Sequence, residues 1–280
     1  MLIITGLTGY VGSKLKKELL KQNIDFIYTK RNNKNSYSFF DKSNKKVSLN
    51  HYFNFEFTLI HLATYFSKNK NEDERIKDAN IVFGSKIFNQ MLNYNLVKII
   101  YTNTMYAFYP NSEIQNLIYT QSKTDFSNYL KKESKLRNIA YEEIFLDNTF
   151  GGNDERDKII PKIINSIVKK EANPIQNTEN FINLIHVDNV VERILKNLYV
   201  LDNSSSSFIS DKSVNLNSIY EYLLYFDSNN EINFELLIFD ENNYIANYPL
   251  INLADVKLFD IRKSLIEELI ASKLNFGTNI

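Results

Sequence analysis

Leu2-Ile3-Ile4-Thr5-Gly6-Leu7-Thr8-Gly9-Tyr10-Val11-Gly12 is the stretch whose reading decides the fold of the first half of the chain. Leu2–Thr5 is apolar and β-branched and reads as a short buried strand. Gly6, Gly9 and Gly12 follow at every third position, in a chain with 7 glycines among 280 residues. From Ser13 to Lys21 the pattern turns helical, with Leu15, Leu19 and Leu20 recurring between lysines. A strand, a tight glycine turn and a helix in that order present backbone N–H groups and a positive helix end to a pyrophosphate. The last glycine lets the helix pack close to the sheet. Gly6, Thr8, Gly9, Tyr10, Val11 and Gly12 are therefore candidates for holding a dinucleotide. The plainer reading, a glycine-rich turn without a ligand, leaves the strand-before, helix-after context unexplained.

Working outward, Ile24–Thr29, Ser38–Phe40, Phe57–Ala63, Val97–Thr102 and Ala140–Leu146 read as further strands, and residues 72–95 and 119–136 as long helices. Strands alternating with helices predict right-handed βαβ units and a parallel sheet. After residue 150 the alternation weakens. Helices are expected at Ile159–Val168, Asp188–Leu198, Leu216–Tyr225 and near Leu265–Ala271, with strands at Phe181–Ile185 and Phe208–Ser210 and a loop at Ser204–Ser207. The expected architecture is α/β: a Rossmann-type doubly wound parallel sheet with a smaller C-terminal substrate-binding lobe. Residues 1–150 form the dinucleotide-binding domain, 181–210 return to it, and 151–180 with 211–280 form the lobe.

Composition narrows the function. Lys+Arg and Asp+Glu both total 33, so the basic excess of a nucleic-acid-binding protein is missing. With 0 cysteines there is no thiolate chemistry, and the 3 histidines, His51, His61 and His186, lack metal-ligand spacing. No apolar run approaches the ~18 residues of a membrane span. Glycine breaks the first apolar run too early for a signal-peptide core, so the cytoplasm is the expected compartment.

The end of the second strand bears on the choice of dinucleotide. An acidic residue there binds a ribose 2′-hydroxyl, and a basic one accommodates a 2′-phosphate. Tyr28-Thr29-Lys30-Arg31 has no carboxylate, which favours NADP(H) over NAD(H) unless Lys30 and Arg31 are simply solvated. Tyr119-Thr-Gln-Ser-Lys123 sets a phenol and an ammonium one helical turn apart. A nearby cation stabilises the phenolate and brings the tyrosine toward acid–base work. Tyr10…Lys14 and Tyr94…Lys98 share the spacing, but one lies in the glycine loop and the other just before a strand. Tyr119 follows the strand whose carboxyl end carries Thr102-Asn103-Thr104, where open α/β sheets bind ligands. The Thr104 hydroxyl there either holds a substrate carbonyl or serves a local turn.

These features together resemble the extended short-chain dehydrogenase/reductases, which mostly act on nucleotide sugars. Leu59-Ile60-His61-Leu62-Ala63 resembles the family's segment beside the cofactor, and Asn80-Ile81-Val82-Phe83-Gly84-Ser85 its Asn-Val-x-Gly-Thr helix. Asn148-Thr149-Phe150-Gly151-Gly152 is similar to Asn-Val-Tyr-Gly-Pro, and Phe181–Asp188 to Arg-Asp-Phe-Ile-His-Val-Asp-Asp. The resemblance covers residues 1–195. His61–Phe66, Asn103-Thr104 and Asn153–Lys158 are most similar to the CDP-paratose/CDP-abequose synthase group, which reduces the C4 ketone of a nucleotide-linked deoxy sugar. Thr104-Met105-Tyr106 stands where 4,6-dehydratases have Thr-Asp-Glu, which disfavours water elimination.

The resemblance implies reduction by NADPH of the 4-keto group of a CDP-, dTDP- or GDP-linked deoxy sugar for bacterial surface polysaccharide, lipopolysaccharide included. It makes Tyr119 the proton donor, Thr104 a hydrogen-bond donor to the same oxygen, and Lys123 the group that depresses the phenol and binds the nicotinamide ribose. It adds Asp41, Leu62, Ala63, Thr64, Asn80 and Thr102 to the cofactor contacts. Tyr65, Met105, Tyr106, Asn148, Arg156 and Lys158 become candidates for the sugar nucleotide. Arg156 and Lys158 read equally well as surface charges, and His186 as a structural histidine. An epimerase holding NAD tightly and a non-catalytic dinucleotide sensor are the rival readings. A homodimer is expected, with neither nucleic acid nor membrane as partner.

Overall fold

The computed structural model describes residues 1–33, 36–67, 69–109, 112–152, 154–208, 212–241, 252–253 and 260–277. In chain order the first part contains β1 (Leu2–Thr5), α1 (Tyr10–Lys21), β2 (Phe26–Arg31), β3 (Tyr37–Asp41), β4 (Lys46–Val47) and β5 (Glu56–His61). Next come α2 (Asp73–Lys77), a π-helical turn (Asp78–Val82), α3 (Phe83–Met91), β6 (Asn95–Thr104), α4 (Ser112–Gln115), α5 (Ile118–Arg137) and β7 (Ala140–Leu146). The remainder contains β8 (Asn148–Phe150), α6 (Ile159–Val168), β9 (Phe181–Ile182), β10 (Leu184–His186), α7 (Val187–Lys196), β11 (Ser204–Phe208), β12 (Lys212–Asn215), α8 (Leu216–Asn229), β13 (Phe239–Glu241), β14 (Asn252–Leu253) and α9 (Ile261–Gly277). No helix among the described residues is long and apolar enough to cross a membrane.

Nine strands form one mostly parallel sheet in the order β14-β11-β7-β6-β5-β1-β2-β3-β4. The strand order reverses at β1, which pairs in parallel with both β2 and β5, so the glycine turn emerges at the topological switch point. Phe83, Ile87, Phe88 and Met91 of α3 and Phe126 and Leu130 of α5 pack with Ile3, Ile99 and Tyr101 into one buried cluster on the sheet.

Three local expectations change. The third strand is antiparallel to β2, and β4 is antiparallel to β3, because the five residues between Arg31 and Tyr37 permit a hairpin and no helical crossover. The long helix of 72–95 is broken by the π-helical turn, which inserts an extra residue where Asn80 turns inward. Ser204–Ser207 belongs to strand β11, placed beside β7 in the sheet, so ladder pairing overrides the turn propensity of serine. Residues 209 and 210 of the strand expected at Phe208–Ser210 lie outside the described residues.

Two compact units result. The first comprises Met1–Leu146, Arg193–Ser207 and Tyr248–Ala254; the second comprises Asp147–Glu192, Phe208–Asn247 and Asp255–Ile280. The second has its own core, in which Ile163 and Ile167 of α6, Ile219 and Leu223 of α8 and Leu265 and Leu269 of α9 pack together. It carries a three-stranded sheet, β13-β12-β9, and a parallel pair, β10-β8.

In the first unit the end of α7 is tied to the sheet by buried charge. Lys98 Nζ lies 3.1 Å from Glu142 Oε2, and Arg193 Nε lies 3.2 Å from Glu142 Oε1. Asn197 Nδ2 donates to the same carboxylate at 2.6 Å, while Lys98 donates to the Asn197 carbonyl at 2.6 Å. Lys98 and Glu142 are 1% and 0% exposed, so each charge depends on the other for solvation. Glu142→Leu strands two cations and is expected to destabilise the protein by about 3–5 kcal/mol, a penalty typical of a broken buried pair. Thermal unfolding of the variant beside Glu142→Gln measures it; equal melting temperatures for Glu142→Leu and the wild type contradict the assignment.

Candidate functional site

The glycine loop owes its shape to contacts that admit no side chain. Gly6 has φ +72°, and a Cβ there would lie 2.5 Å from the Ala63 nitrogen and 2.7 Å from the Leu62 carbonyl carbon. A Cβ on Gly12 would lie 2.2 Å from the Gly6 oxygen and 2.6 Å from the Leu7 Cα. The loop is thus pressed against the end of β5, and α1 is pressed against the loop. Ala63 N donates to Thr5 Oγ1 at 3.2 Å and Leu62 N to Thr5 O at 3.2 Å, lacing the two strand ends together. Thr8 and Gly9 form the exposed crest, with Gly9 as N-cap of α1 and Tyr10 and Val11 in its first turn. No side chain caps that helix end. Bare backbone, a helix N-terminus and a turn that a Cβ would fill fit the pyrophosphate of a dinucleotide.

Thr104, Tyr119 and Lys123 are brought together from β6 and α5. The Tyr119 phenol lies beside the hydroxyls of Thr104 and Thr64, which act to lower its pKa. Phe66 stands edge-on to its ring at 4.9 Å, and Tyr106 lies at 6.3 Å. Burial pushes the phenol up to about 12 and Tyr106 adds to the rise, while the two threonine hydroxyls oppose it. Thr104 also accepts from Tyr106 N at 3.3 Å, so it serves the turn and faces the phenol at once. Lys123 is 2% exposed. Its ammonium donates to the Thr102 carbonyl and sits 4.2 Å over the Tyr101 ring. Burial pulls it down to about 7 against the pull of the Glu143 carboxylate. The groups that lower the Tyr119 pKa in this structure are thus the threonines, and the ammonium is engaged with β6.

Asn80 organises the wall of this site. Its Oδ1 accepts from Tyr65 N at 2.7 Å and from Thr64 Oγ1 at 3.1 Å. Its Nδ2 donates to the Tyr65 carbonyl at 3.2 Å and to Ser122 Oγ at 3.0 Å. At 1% exposed it clamps Thr64 and Tyr65 onto α5 from beneath. Thr102 Oγ1 donates to the His61 carbonyl at 3.5 Å. His61, buried between Tyr101 and Phe126, is held neutral by burial and by Lys123, at about 3. Tyr65 donates its hydroxyl to Glu72 at 2.7 Å under the Arg75 guanidinium. Met105 is 0% exposed, so its side chain presents no surface to a ligand.

At the end of β2 the two basic residues differ. Lys30 Nζ lies 4.9 Å over the Phe40 ring, and Arg31 forms an ion pair with Asp78 of the π-helical turn. Asp41 Oδ1 accepts from Ser43 N, Ser43 Oγ and Lys45 N, binding the β3–β4 turn. In the second unit, Asn148 Nδ2 donates to Asp147 Oδ1 at 2.8 Å and to the Asn183 carbonyl at 3.2 Å. Arg156 grips Asp154 through Nε and Nη2, each at 2.7 Å, and the Thr149 carbonyl at 2.6 Å. Lys158 is the N-cap residue of α6. Asn153 lies outside the described residues. Among the structural partners of the site, sequence reasoning missed Asn103, Ser122 and Glu143. The signal available was the pair Glu142-Glu143 inside the apolar strand Ala140–Leu146, which needs buried partners.

The switch-point glycine loop defines the first unit as a Rossmann-type dinucleotide-binding domain. The chain belongs to the NAD dependent epimerase/dehydratase family, whose model matches residues 2–208. The CDP-abequose synthase of Salmonella typhimurium is 24% identical over 206 residues, covering 69% of this chain and 68% of that protein. The CDP-abequose synthase of Yersinia pseudotuberculosis is 23% identical over 218 residues, covering 74% and 75%. The UDP-glucuronic acid 4-epimerase from Bacillus cereus, solved in complex with NAD, superposes with a TM-score of 0.71 at 13% identity, covering 96% of this chain and 95% of that one.

Gly12→Ala must force apart backbone on both sides of its Cβ, whereas the Cβ of Gly9→Ala meets only the Gly6 oxygen, at 3.2 Å. Overpacking of that kind costs about 1–3 kcal/mol. Gly12→Ala is therefore expected to lower the melting temperature and reduce dinucleotide affinity at least tenfold, as measured by nicotinamide fluorescence. Wild-type affinity in the Gly12→Ala protein contradicts the close approach.

Proposed function

We propose that the protein is an oxidoreductase that uses NADPH to reduce the 4-keto group of a nucleotide-linked deoxy sugar. The observation that carries this reading is the convergence of Tyr119 from α5 with Thr104 at the carboxyl end of β6, where burial pushes the phenol up to about 12. A phenol in that state keeps its proton throughout the neutral range. It suits the donation of a proton to an alkoxide better than removal of one from an alcohol. Similarity to two CDP-abequose synthases over more than two thirds of the chain supports a nucleotide-sugar substrate.

When bound, the dinucleotide supplies a hydride to the carbonyl carbon. The residues of the chain do the rest. Backbone N–H groups of the Gly6–Gly12 loop and the α1 N-terminus would hold its diphosphate, and Leu62, Ala63 and Thr64, which follow β5, would be further contacts to the dinucleotide. Thr104 and Tyr119 hold the ketone oxygen, and as charge develops there Tyr119 passes it the phenolic proton. Lys123, held on the Thr102 carbonyl in the free protein, would supply positive charge to the phenol and to the nicotinamide ribose once the dinucleotide is bound. Asn80 and Thr102 act at one remove, holding the Thr64–Tyr65 segment and the end of β6. Tyr106, Tyr65, Asn148, Arg156 and Lys158 are the residues proposed to meet the sugar nucleotide. Lys30 and Arg31 favour a 2′-phosphate, with Arg31 exchanging Asp78 for it. NADPH and one proton are consumed for each ketone reduced to an alcohol, and NADP⁺ is released.

The missing Asp-Glu pair after Thr104 removes the acid and base of a dehydration. Retention of NAD without net turnover of added cofactor marks the epimerase alternative, and binding with no reaction marks a sensor.

NADPH oxidation against a panel of 4-keto-6-deoxy and 4-keto-3,6-dideoxy nucleotide sugars tests the reading, with NADH in parallel. Turnover with at least one panel member is expected, and Tyr119→Phe should lower kcat by about 100-fold or more, the usual weight of a general acid. The kcat/KM of the wild type should hold below pH 7 and fall as the pH rises through the Lys123 value of about 7. The sign follows from Lys123 being cationic only on the acid side, while Tyr119 stays protonated on both. Near-full activity in Tyr119→Phe, or a profile that rises across the same interval, overturns the assignment.

A further inference from the structure

Glu143 has no part in the chemistry so far, yet it is among the most completely buried charges in the first unit, at 0% exposed. It lies in the middle of β7 and its side chain enters the interface between the sheet and α5. Asn103 Nδ2 donates to its Oε1 at 2.7 Å, and Ser127 Oγ donates to the same oxygen. Lys131 Nζ lies 2.5 Å from its Oε2. Asn103 in turn accepts from Thr104 N at 2.8 Å. Tyr119, Lys123, Ser127 and Lys131 are spaced four residues apart on α5, so one stripe of the helix runs from the phenol to the carboxylate and out to solvent.

Resting on the Tyr119/Lys123/Thr104 reading, we propose that Glu143 is a positioning residue for that centre. It anchors the Thr104 end of β6 through Asn103, and it supplies the counter-charge that keeps the buried Lys123 cationic. A desolvated ammonium without an opposite charge releases its proton, and an opposite charge nearby restores it. The groups facing Lys123 are His61 from β5, Tyr101 and the Thr102 carbonyl from β6, and Glu143 from β7. His61 is neutral and Tyr101 is protonated, which leaves Glu143 as the anion among them. Glu143 faces Tyr101 from β6, Tyr141 from β7 and Lys131 from α5. A leucine in its place would fill the site with equal burial, so the carboxylate answers an electrostatic need beyond packing.

The test reads Lys123 directly. The full-length protein is labelled with ¹³C-lysine, the Lys123 resonance is assigned with Lys123→Arg, and its titration is followed in the absence of substrate. The wild-type midpoint is expected near 7. In Glu143→Gln, which keeps an oxygen for Asn103 and Ser127, the midpoint should fall by about one unit, the usual effect of one nearby charge. The upper limb of the kcat/KM profile should move with it. Glu143→Asp should keep the midpoint within about half a unit while lowering kcat, because charge is retained and the Asn103 anchor is shortened. Should Glu143→Gln fail to fold, Glu143→Asp carries the test because it retains the charge: a Lys123 midpoint moved by about one unit or more there overturns the proposal. So does an unchanged midpoint in Glu143→Gln. The titration needs no turnover. A shifted midpoint in a protein that reduces no panel sugar sinks the reaction and leaves the role of Glu143 intact.

Discussion

The hydrogen bond from the Lys123 ammonium to the Thr102 carbonyl is the constraint on which the site depends. A lysine so deeply buried is tolerated only where its charge is met. Here the Thr102 carbonyl, the Tyr101 ring and the Glu143 carboxylate meet it together. That contact fixes the rotation and height of α5 over β6. Tyr119, one turn earlier, then arrives beside Thr104 at the strand's end, and Tyr101 OH closes the arrangement by donating to the Lys123 carbonyl at 3.2 Å. The strand end, the helix and the phenol are therefore one mechanical unit.

Around that unit the structure separates support from exposure. Asn80, Asn103 and Glu143 are buried with their polar atoms engaged in the scaffold, whereas Thr64 is exposed beside the phenol and Thr8 and Gly9 crown the loop. A site held in this way keeps its donors aimed without relying on the ligand to order them. The same separation qualifies two expectations about individual residues. Arg31 is paired with Asp78, so binding a 2′-phosphate means exchanging one anion for another. Arg156 is gripped by Asp154 and Thr149, and its first task is to shape its own loop.

Much of the fold was legible because its signals are local. Strand β1, the glycine turn, β7 and α6 follow from short runs of residues whose periodicity is unambiguous. Other elements depended on partners far along the chain. Ser204–Ser207 is polar enough to read as a loop, and only a neighbouring strand draws it into the sheet. The π-helical turn adds a single residue to a helix whose apolar pattern runs on through it. The antiparallel β3 was foreshadowed by the shortness of 32–36, a length too small for any helical crossover. Tyr119, Lys123 and Thr104 could be grouped by spacing and strand-end position. Glu143 could not, because its partners Asn103, Ser127 and Lys131 come from two other elements. A charge pair inside an apolar strand announces that partners exist without naming them.

In the proposed reaction a hydride reaches a sugar carbon while the oxygen takes its proton from Tyr119. The most direct measurement uses NADPH carrying deuterium at the transferring C4 position, with the sugar product followed by mass spectrometry and NMR. One deuterium per turnover bound to the former carbonyl carbon, with stoichiometric NADP⁺, is the predicted result. Product free of deuterium, or isomerised sugar formed while the labelled cofactor is neither consumed nor released, would contradict it.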